Sequence, residues 1–395
     1  MRRRLSFPLV TFAWTRIVIF LGAALAYIVL DAGRYGPNGG PPPARIGAGS
    51  GWAIDLWGRW DGGWFARIAE HGYESPHFTT AFFPLYPAFV RIVALPLGGR
   101  DALAGVLVSL VACAVAVVLL HELTRSVLGE DDARRAVVYL LVFPTTIFLG
   151  AVYSESLYLL LAVATFLLAT RRQWLPAGLV CGLAILTRSA GVMLLPALAV
   201  LAWQAADRVR AVAQAAVALP IAAVWPAYLW VRFSDPLLFA KAQHEHFGRH
   251  LSRGGPAGGV WYGLEYGWNG VRQLASSGAN YFPEATDHSP TYTAALNLEQ
   301  LLFASLVVGL GVLAWRRLGA AYGVFVLGSM LLPLSTPTAD YPLLSSPRFS
   351  LGTFPIFMSL ATLGRRRSVD VAITSVLSLY LGIDIVRWVL YAWVA

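Results

Sequence analysis

One short run near the start of the chain, Arg59 to Tyr73 ("RWDGGWFARIAEHGY"), holds a carboxylate in a setting that invites chemistry. Wound as a helix from Trp60 onward at about 100° per residue, it puts Trp60, Trp64, Phe65 and Ile68 on one face. Asp61 falls in the middle of that aromatic arc, with Arg59, Ala66, Arg67 and Glu70 on the other side. A face rich in Trp and Phe suits a membrane surface. A carboxylate centred on such a face is costly unless it is used, and one stripped of water is a better proton acceptor than a surface Asp. The competing reading is local. Asp often caps a helix N-terminus, and Gly62 and Gly63 weaken a helix here.

Three more ionisable residues stand out by their apolar surroundings: Glu155 in "YSESLY" (153–158), Arg188 in "LTRSAG" (186–191) and Arg348 in "SSPRFS" (345–350). Centring an Arg in a bilayer costs about 2.5–3.5 kcal/mol on insertion scales, so such residues are normally paired or functional. Snorkelling to the interface, or a structural pair such as Arg188 with Glu155, accounts for each singly. Taken together, two Arg and a loop carboxylate make a base and a stabiliser for a phosphate leaving group, the two things a glycosyl transfer needs. The stretch "FAKAQHEHFGRH" (239–250) adds His244, His246 and His250, of which His246 and His250 have the spacing of a helical zinc pair. It has no HExxH, no Cys and no well-placed third ligand, so acceptor contacts or a polar loop helix fit better and no metal is assigned. Arg59, Trp60, Glu70, His71, Tyr73 and Gln243 complete the candidate substrate-binding set.

The elements that must position these residues are membrane helices. The 395 residues are 57% hydrophobic and 13% charged, against about 25% charged in a soluble domain. Aromatics suited to interfacial belts are abundant. The net charge of +9 comes almost wholly from Arg, Lys241 being the sole Lys. These cations sit in short clusters between apolar runs, which argues for membrane topology and against a nucleic-acid partner. Cys113 and Cys181 lie in apolar runs and suggest neither a disulfide framework nor a metal site. The first apolar run, after Arg2–Arg4, reads as a signal anchor rather than a cleaved leader.

About eleven spans are expected, near 8–30, 102–120, 136–153, 155–170, 174–187, 190–203, 211–231, 294–314, 319–335, 349–363 and 370–394. Together they form a single integral-membrane domain over 1–395. A first outer loop over 31–100 begins with a Gly/Pro-rich stretch (31–51) and carries the Asp61 run. Its segment 81–99, with three prolines and Arg91, is a poor straight span and reads as kinked or interfacial. A second large outer loop covers 234–292. The Arg clusters at 2–4, 125/134/135, 171/172, 208/210, 316/317 and 365–367 all fall on one side with this count. That side is cytoplasmic by the positive-inside rule, which places both large loops outside. The absence of a convincing internal repeat counts against inverted-repeat transporter folds.

The run "RWDGGWFARIAEHGY" followed closely by "AFFPLYP" (81–87), then "SES" (154–156), "LTRSAG" and "SPRF" (346–349) in that order, resembles the PIG-V type of GPI mannosyltransferase in its bacterial form. The resemblance covers most of the chain. It implies a GT-C glycosyltransferase fold, a polyprenyl-phosphate-mannose donor and inversion at the anomeric carbon. The family's acidic residue in the first outer loop maps onto Asp61, as general base. The expected enzyme sits in the plasma membrane with its N-terminus cytoplasmic, and serves a glycolipid or glycan acceptor on the outer face. The rival readings are a multi-pass transporter or lipid flippase, and a non-catalytic partner of a transferase.

Overall fold

In lipid a backbone must satisfy its own hydrogen bonds, and long unbroken apolar runs, unlike the alternating strands of a barrel, do so as helices. The computed structural model describes residues 2–34, 36, 51–74, 77–276, 278–285 and 288–394, and every regular element among them is a helix. Most of the Gly/Pro-rich 31–51 stretch lies outside the described residues. In α1 (Arg2–Val29), Trp14, Val18, Leu21 and Leu25 point outward, an apolar surface for lipid. Its internal Arg16 turns inward and donates to the carbonyl and hydroxyl oxygens of Thr146, both at 2.9 Å.

The chain then runs through α2 (Trp52–Asp55), α3 (Asp61–His71) and α4 (Leu85–Ala94) into the bundle helices α5 (Asp101–Leu128), α6 (Glu130–Leu141), α7 (Glu155–Thr170), α8 (Trp174–Ile185) and α9 (Leu194–Trp203). Three short helices follow, α10 (Arg208–Ala215), α11 (Ala218–Ala222) and α12 (Val224–Phe233). The second loop holds α13 (Leu238–Phe247) and α14 (Pro256–Ala275). Last come α15 (Pro290–Leu318), α16 (Ala320–Ser335), α17 (Ser346–Gly352), α18 (Pro355–Leu363) and α19 (Arg367–Val389).

Among the described residues, five stretches are long and apolar enough to cross a membrane: 6–29, 101–128, 208–233, 290–318 and 367–389. Shorter apolar helices occupy 85–97, 155–170, 174–185, 189–203 and 320–335. This is an all-α polytopic membrane protein, but not a row of eleven straight spans. The span expected over 136–153 stops at Leu141, because Pro144 opens a separate 3-10 turn to Leu149. The one expected over 349–363 divides at Thr353–Phe354, where Pro355 starts α18. Proline lacks an N–H and clashes with the carbonyl four residues back, so it begins helices far better than it continues them. Segment 81–99 is kinked as expected: α4 is followed by a 3-10 turn, Leu95–Leu97.

The helix expected from Trp60 onward is α3, but its apolar face does not lie on a membrane surface. Gly62, Phe65, Ala66, Ile68 and Ala69 are buried in protein. Phe65 meets the rings of Phe82 and Tyr86 edge-on, with centroids 5.1 and 5.0 Å away. The "FFPLYP" segment therefore covers the face that a bilayer was expected to cover.

The bundle has a basic end. There Glu122 pairs with Arg125 and Arg171, Asp132 with Arg135 and Arg365, and Arg317 donates to Thr362. Arg171 caps the C-terminal end of α7, and Glu155 opens the same helix 16 residues earlier. That is roughly 24 Å at 1.5 Å per residue, so the ionisable groups near Glu155 occupy the opposite end.

Candidate functional site

The site is built on the turn between α6 and α7. The Val152 N–H donates to Trp57 O at 2.9 Å, the Tyr153 hydroxyl donates to Arg59 O at 2.8 Å, and Ser109 donates to Tyr153 O at 3.1 Å. Two glycines let helices close on this turn. A Cβ on Gly62 would sit 3.3 Å from Val152 O, and one on Gly105 would sit 2.5 Å from the Val152 side chain. The start of α3 and the start of α7 are thereby drawn together, and with them Asp61 and Glu155.

Asp61 does not cap its helix. Trp60 holds the cap position, at φ 48° and with no side-chain cap bond, and Asp61 is the first helical residue. Its Oδ2 accepts from Arg348 Nη1 at 2.6 Å. Arg348 also donates from Nε to Glu155 Oε1, and Arg188 makes an ion contact with that same oxygen. The Glu155 side chain is 2% exposed and the Arg348 side chain 11%. The Arg348 guanidinium lies over the Tyr153 ring, 4.7 Å from its centroid, which adds a favourable cation–π contact. The pairing of Arg188 with Glu155, weighed from sequence as a structural alternative, is thus present as one arm of a larger cluster.

These groups form one wall of a cavity of about 340 Å³. Its other walls are largely apolar, including Phe65, Phe82, Phe239, Phe247, Leu332, Leu344 and Phe349. Apolar walls with a few convergent polar groups are the usual make-up of a small-molecule site. Low polarity also strengthens each electrostatic contact within it.

Of the sequence-derived candidates, Asp61, Glu155, Arg188, Gln243 and Arg348 line this cavity. The others do not. Arg59 is buried, donates to the carbonyls of Trp388 and Val389, and stacks 3.6 Å from the Tyr391 ring centroid, so it fastens the end of α19. Burial pushes its guanidinium down to about 10, with Tyr391 acting the other way. Trp60 packs edge-on to Trp388, Tyr391 and Trp393. Glu70 and His71 face outward and pair with each other at 3.4 Å. The Tyr73 hydroxyl donates to Phe82 O at 2.7 Å, and its ring packs on Trp225.

Sequence reasoning missed Arg249. It is a cavity residue from the same "FAKAQHEHFGRH" stretch whose histidines drew attention. His244 and His250 pack ring to ring and His246 packs on Phe78. Among the described residues no group of three His, Cys, Asp or Glu is placed to hold a metal ion. Burial, and behind it repulsion from Arg348, pushes the Arg249 guanidinium down to about 10. The available signal was an Arg directly after Gly248 and beside the histidines, with Lys241 and Arg253 on either side.

Residues 49–208 match the family model described as Mannosyltransferase (PIG-V). Over 146 residues the chain is 35% identical to GPI alpha-1,6-mannosyltransferase 2 of Cricetulus griseus, a match covering 34% of this chain and 29% of that protein. It is 30% identical over 146 residues to GPI mannosyltransferase 2 of Schizosaccharomyces pombe, covering 34% and 30%. The chain therefore spans only about 30% of the length of the curated relatives it matches. Among solved structures, it is similar to the archaeal oligosaccharyltransferase AglB from Archaeoglobus fulgidus in complex with an inhibitory peptide and a dolichol-phosphate. That likeness has a TM-score of 0.45 at 16% identity and covers 96% of this chain and 56% of that one. The family-model match includes Asp61, Glu155 and Arg188 and ends before Arg249 and Arg348.

Proposed function

We propose that this chain is a GT-C membrane mannosyltransferase, a bacterial form of the PIG-V type for which GPI itself need not be the acceptor. In this reading it moves mannose from a polyprenyl-phosphate-mannose donor to a lipid-linked or glycan acceptor, on the outer face of the plasma membrane. Support comes from the family-model match over the stretch that carries Asp61, Glu155 and Arg188. The single observation that carries the chemistry is the contact of Asp61 with Arg348, at 2.6 Å on the wall of a mostly apolar cavity. A proton acceptor and a cation suited to phosphate are adjacent there.

Asp61 takes the proton from an acceptor hydroxyl as its oxygen attacks the anomeric carbon from the face opposite the phosphate. The bond from that carbon to the phosphate oxygen breaks, its electron pair leaves with the lipid phosphate, and the configuration inverts. Arg188 and Arg348 stabilise the charge that develops on the phosphate, with the planar fork that suits Arg to this task. Glu155 holds both guanidiniums in place. Gln243 contacts the sugar or the acceptor from the facing wall. Arg59 and Trp60 act at one remove, by bracing the chain end whose Trp393 joins the cavity lining. The gathering of Arg side chains at the opposite end of the bundle supports a cytoplasmic N-terminus and an outward-facing cavity.

The test uses purified protein in lipid nanodiscs, with labelled polyprenyl-phosphate-mannose and a membrane lipid extract. The expected result is labelled mannose on a lipid or glycan product with inverted anomeric configuration. No transfer from any polyprenyl-phosphate hexose overturns the reading. Translocation of lipid without transfer points to the flippase alternative.

A further inference from the structure

Five charged side chains line the cavity: Asp61, Glu155, Arg188, Arg249 and Arg348. Three guanidiniums against two carboxylates leave one positive charge in a largely apolar enclosure. Four of the five pair in charge, Asp61 with Arg348 and Glu155 with both Arg188 and Arg348, although Glu155 Oε2 and Arg188 Nη1 have no hydrogen-bond partner among the described residues. Arg249 stands apart. No carboxylate among the described residues forms an ion pair with it. Among the described residues its Nη1 and Nη2 donate to backbone carbonyls alone, Thr336 O at 3.4 Å and Leu344 O at 3.2 Å, and its guanidinium lies 5.4 Å from the Phe349 ring centroid.

The segment around it is tied down. The Arg249 N–H donates to Gln243 O at 3.2 Å, that of His250 to Pro337 O at 3.3 Å and that of Ser252 to Ser335 O at 2.9 Å. A half-buried cation with no ion pair of its own, attracted only at longer range by Asp61, is costly to hold, and an anion entering beside it lowers that cost. The phosphodiester of a sugar-loaded polyprenyl phosphate carries one negative charge, which matches the single uncompensated charge of this cavity, and the monoester left after transfer carries at least as much.

We infer that Arg249 is the anchor for the phosphate of a polyprenyl-phosphate ligand, while Arg188 and Arg348, already held by Glu155 and Asp61, are reserved for the bond-breaking step. The inference rests on the transferase reading and deepens it. Hydrogen bonds to a charged group are strong enough that losing the guanidinium weakens phosphate binding by roughly 10- to 100-fold.

The experiment measures binding of undecaprenyl phosphate, of undecaprenol and of inorganic phosphate to the detergent-solubilised full chain, for the native protein, Arg249→Gln and Arg249→Lys. The native protein is expected to bind undecaprenyl phosphate. Arg249→Gln is expected to bind it roughly 10- to 100-fold more weakly while holding undecaprenol unchanged, and Arg249→Lys to fall between, because Lys keeps the charge and loses the fork. If Arg249→Gln fails to fold, Arg249→Lys decides. Weakened lipid-phosphate binding with undecaprenol unaffected upholds the anchor, and native discrimination between the two lipids overturns it. Native-like binding of undecaprenyl phosphate by Arg249→Gln overturns the anchor and leaves the transferase reading standing. A native protein that binds no lipid phosphate overturns the transferase reading itself. Inorganic phosphate bound as tightly as the lipid overturns the lipid as the source of the anion.

Discussion

A single guanidinium joins the two carboxylates of the cavity: Arg348 donates from Nη1 to Asp61 at 2.6 Å and from Nε to Glu155, residues 287 and 193 positions away in the chain. A planar fork with donors on two edges makes this bridge possible, and the Tyr153 and Phe148 rings beneath it hold the plane. The three side chains behave as one unit, so removing any of them changes what the other two do.

Glu155→Gln tests the anchor of that unit. The buried carboxylate contacts both Arg188 and Arg348, and Gln retains its shape without its charge. Arg188 would then lose its ion contact, and Arg348 would keep Asp61 alone. Breaking a buried pair from one side costs about 3–5 kcal/mol. A clear drop in melting temperature in detergent is expected, together with loss of transfer. Unchanged melting with full transfer would show that Glu155 is not the counter-ion.

Arg348→Lys separates charge from geometry. An ammonium is a point donor and does not reach Asp61 and Glu155 at once, so turnover should fall about tenfold or more although the charge is kept. Arg188→Ala and Arg348→Ala should each lose more than the Lys variant. Full transfer by both Ala variants removes them from the phosphate site.

Some of this arrangement is legible in the sequence. Asp61, Glu155, Arg188 and Arg348 stand out because an ionisable group at the end of an apolar run must be paired or used. Arg59 and Tyr73 carry the same local signals, yet their donors meet carbonyls at Trp388, Val389 and Phe82, and the α19 contacts in particular exist only once that helix has packed. Arg249 reads as a solvated loop cation until its loop is tied to the end of α16. The aromatic face of α3 has the same periodicity whether lipid or protein covers it. Span positions follow from apolar runs, but the breaks at Pro144 and Pro355 depend on how each proline is used, and proline both starts helices and ends them.

Topology yields a labelling prediction with little background, since Cys113 and Cys181 are both buried. Arg253 lies exposed in the second large loop and Ser368 lies exposed at the start of α19. With a membrane-impermeant thiol reagent on intact cells, Arg253→Cys should label and Ser368→Cys should label only after permeabilisation. The reverse pattern moves the cavity to the cytoplasmic face.

Asp61→Asn is the most direct test of the chemistry. A helix-capping role would make this change nearly silent, because Asn caps about as well as Asp. The cap position belongs to Trp60, and the Asp61 carboxylate is turned toward Arg348 instead. Asn still offers Arg348 an acceptor oxygen but has neither the charge nor the basicity to take a proton. General-base contributions are typically ~10²–10⁴-fold, so turnover should fall by about that much while the protein folds. Donor binding should not weaken, because losing this carboxylate leaves the cavity more positive toward a phosphate. Falling turnover with an unchanged or lower KM for the donor is the signature of a lost base. A rise in donor KM at native turnover assigns Asp61 to positioning Arg348 alone. Near-native transfer with native KM rules Asp61 out as the base and turns attention to Glu155, the other carboxylate that lines the cavity.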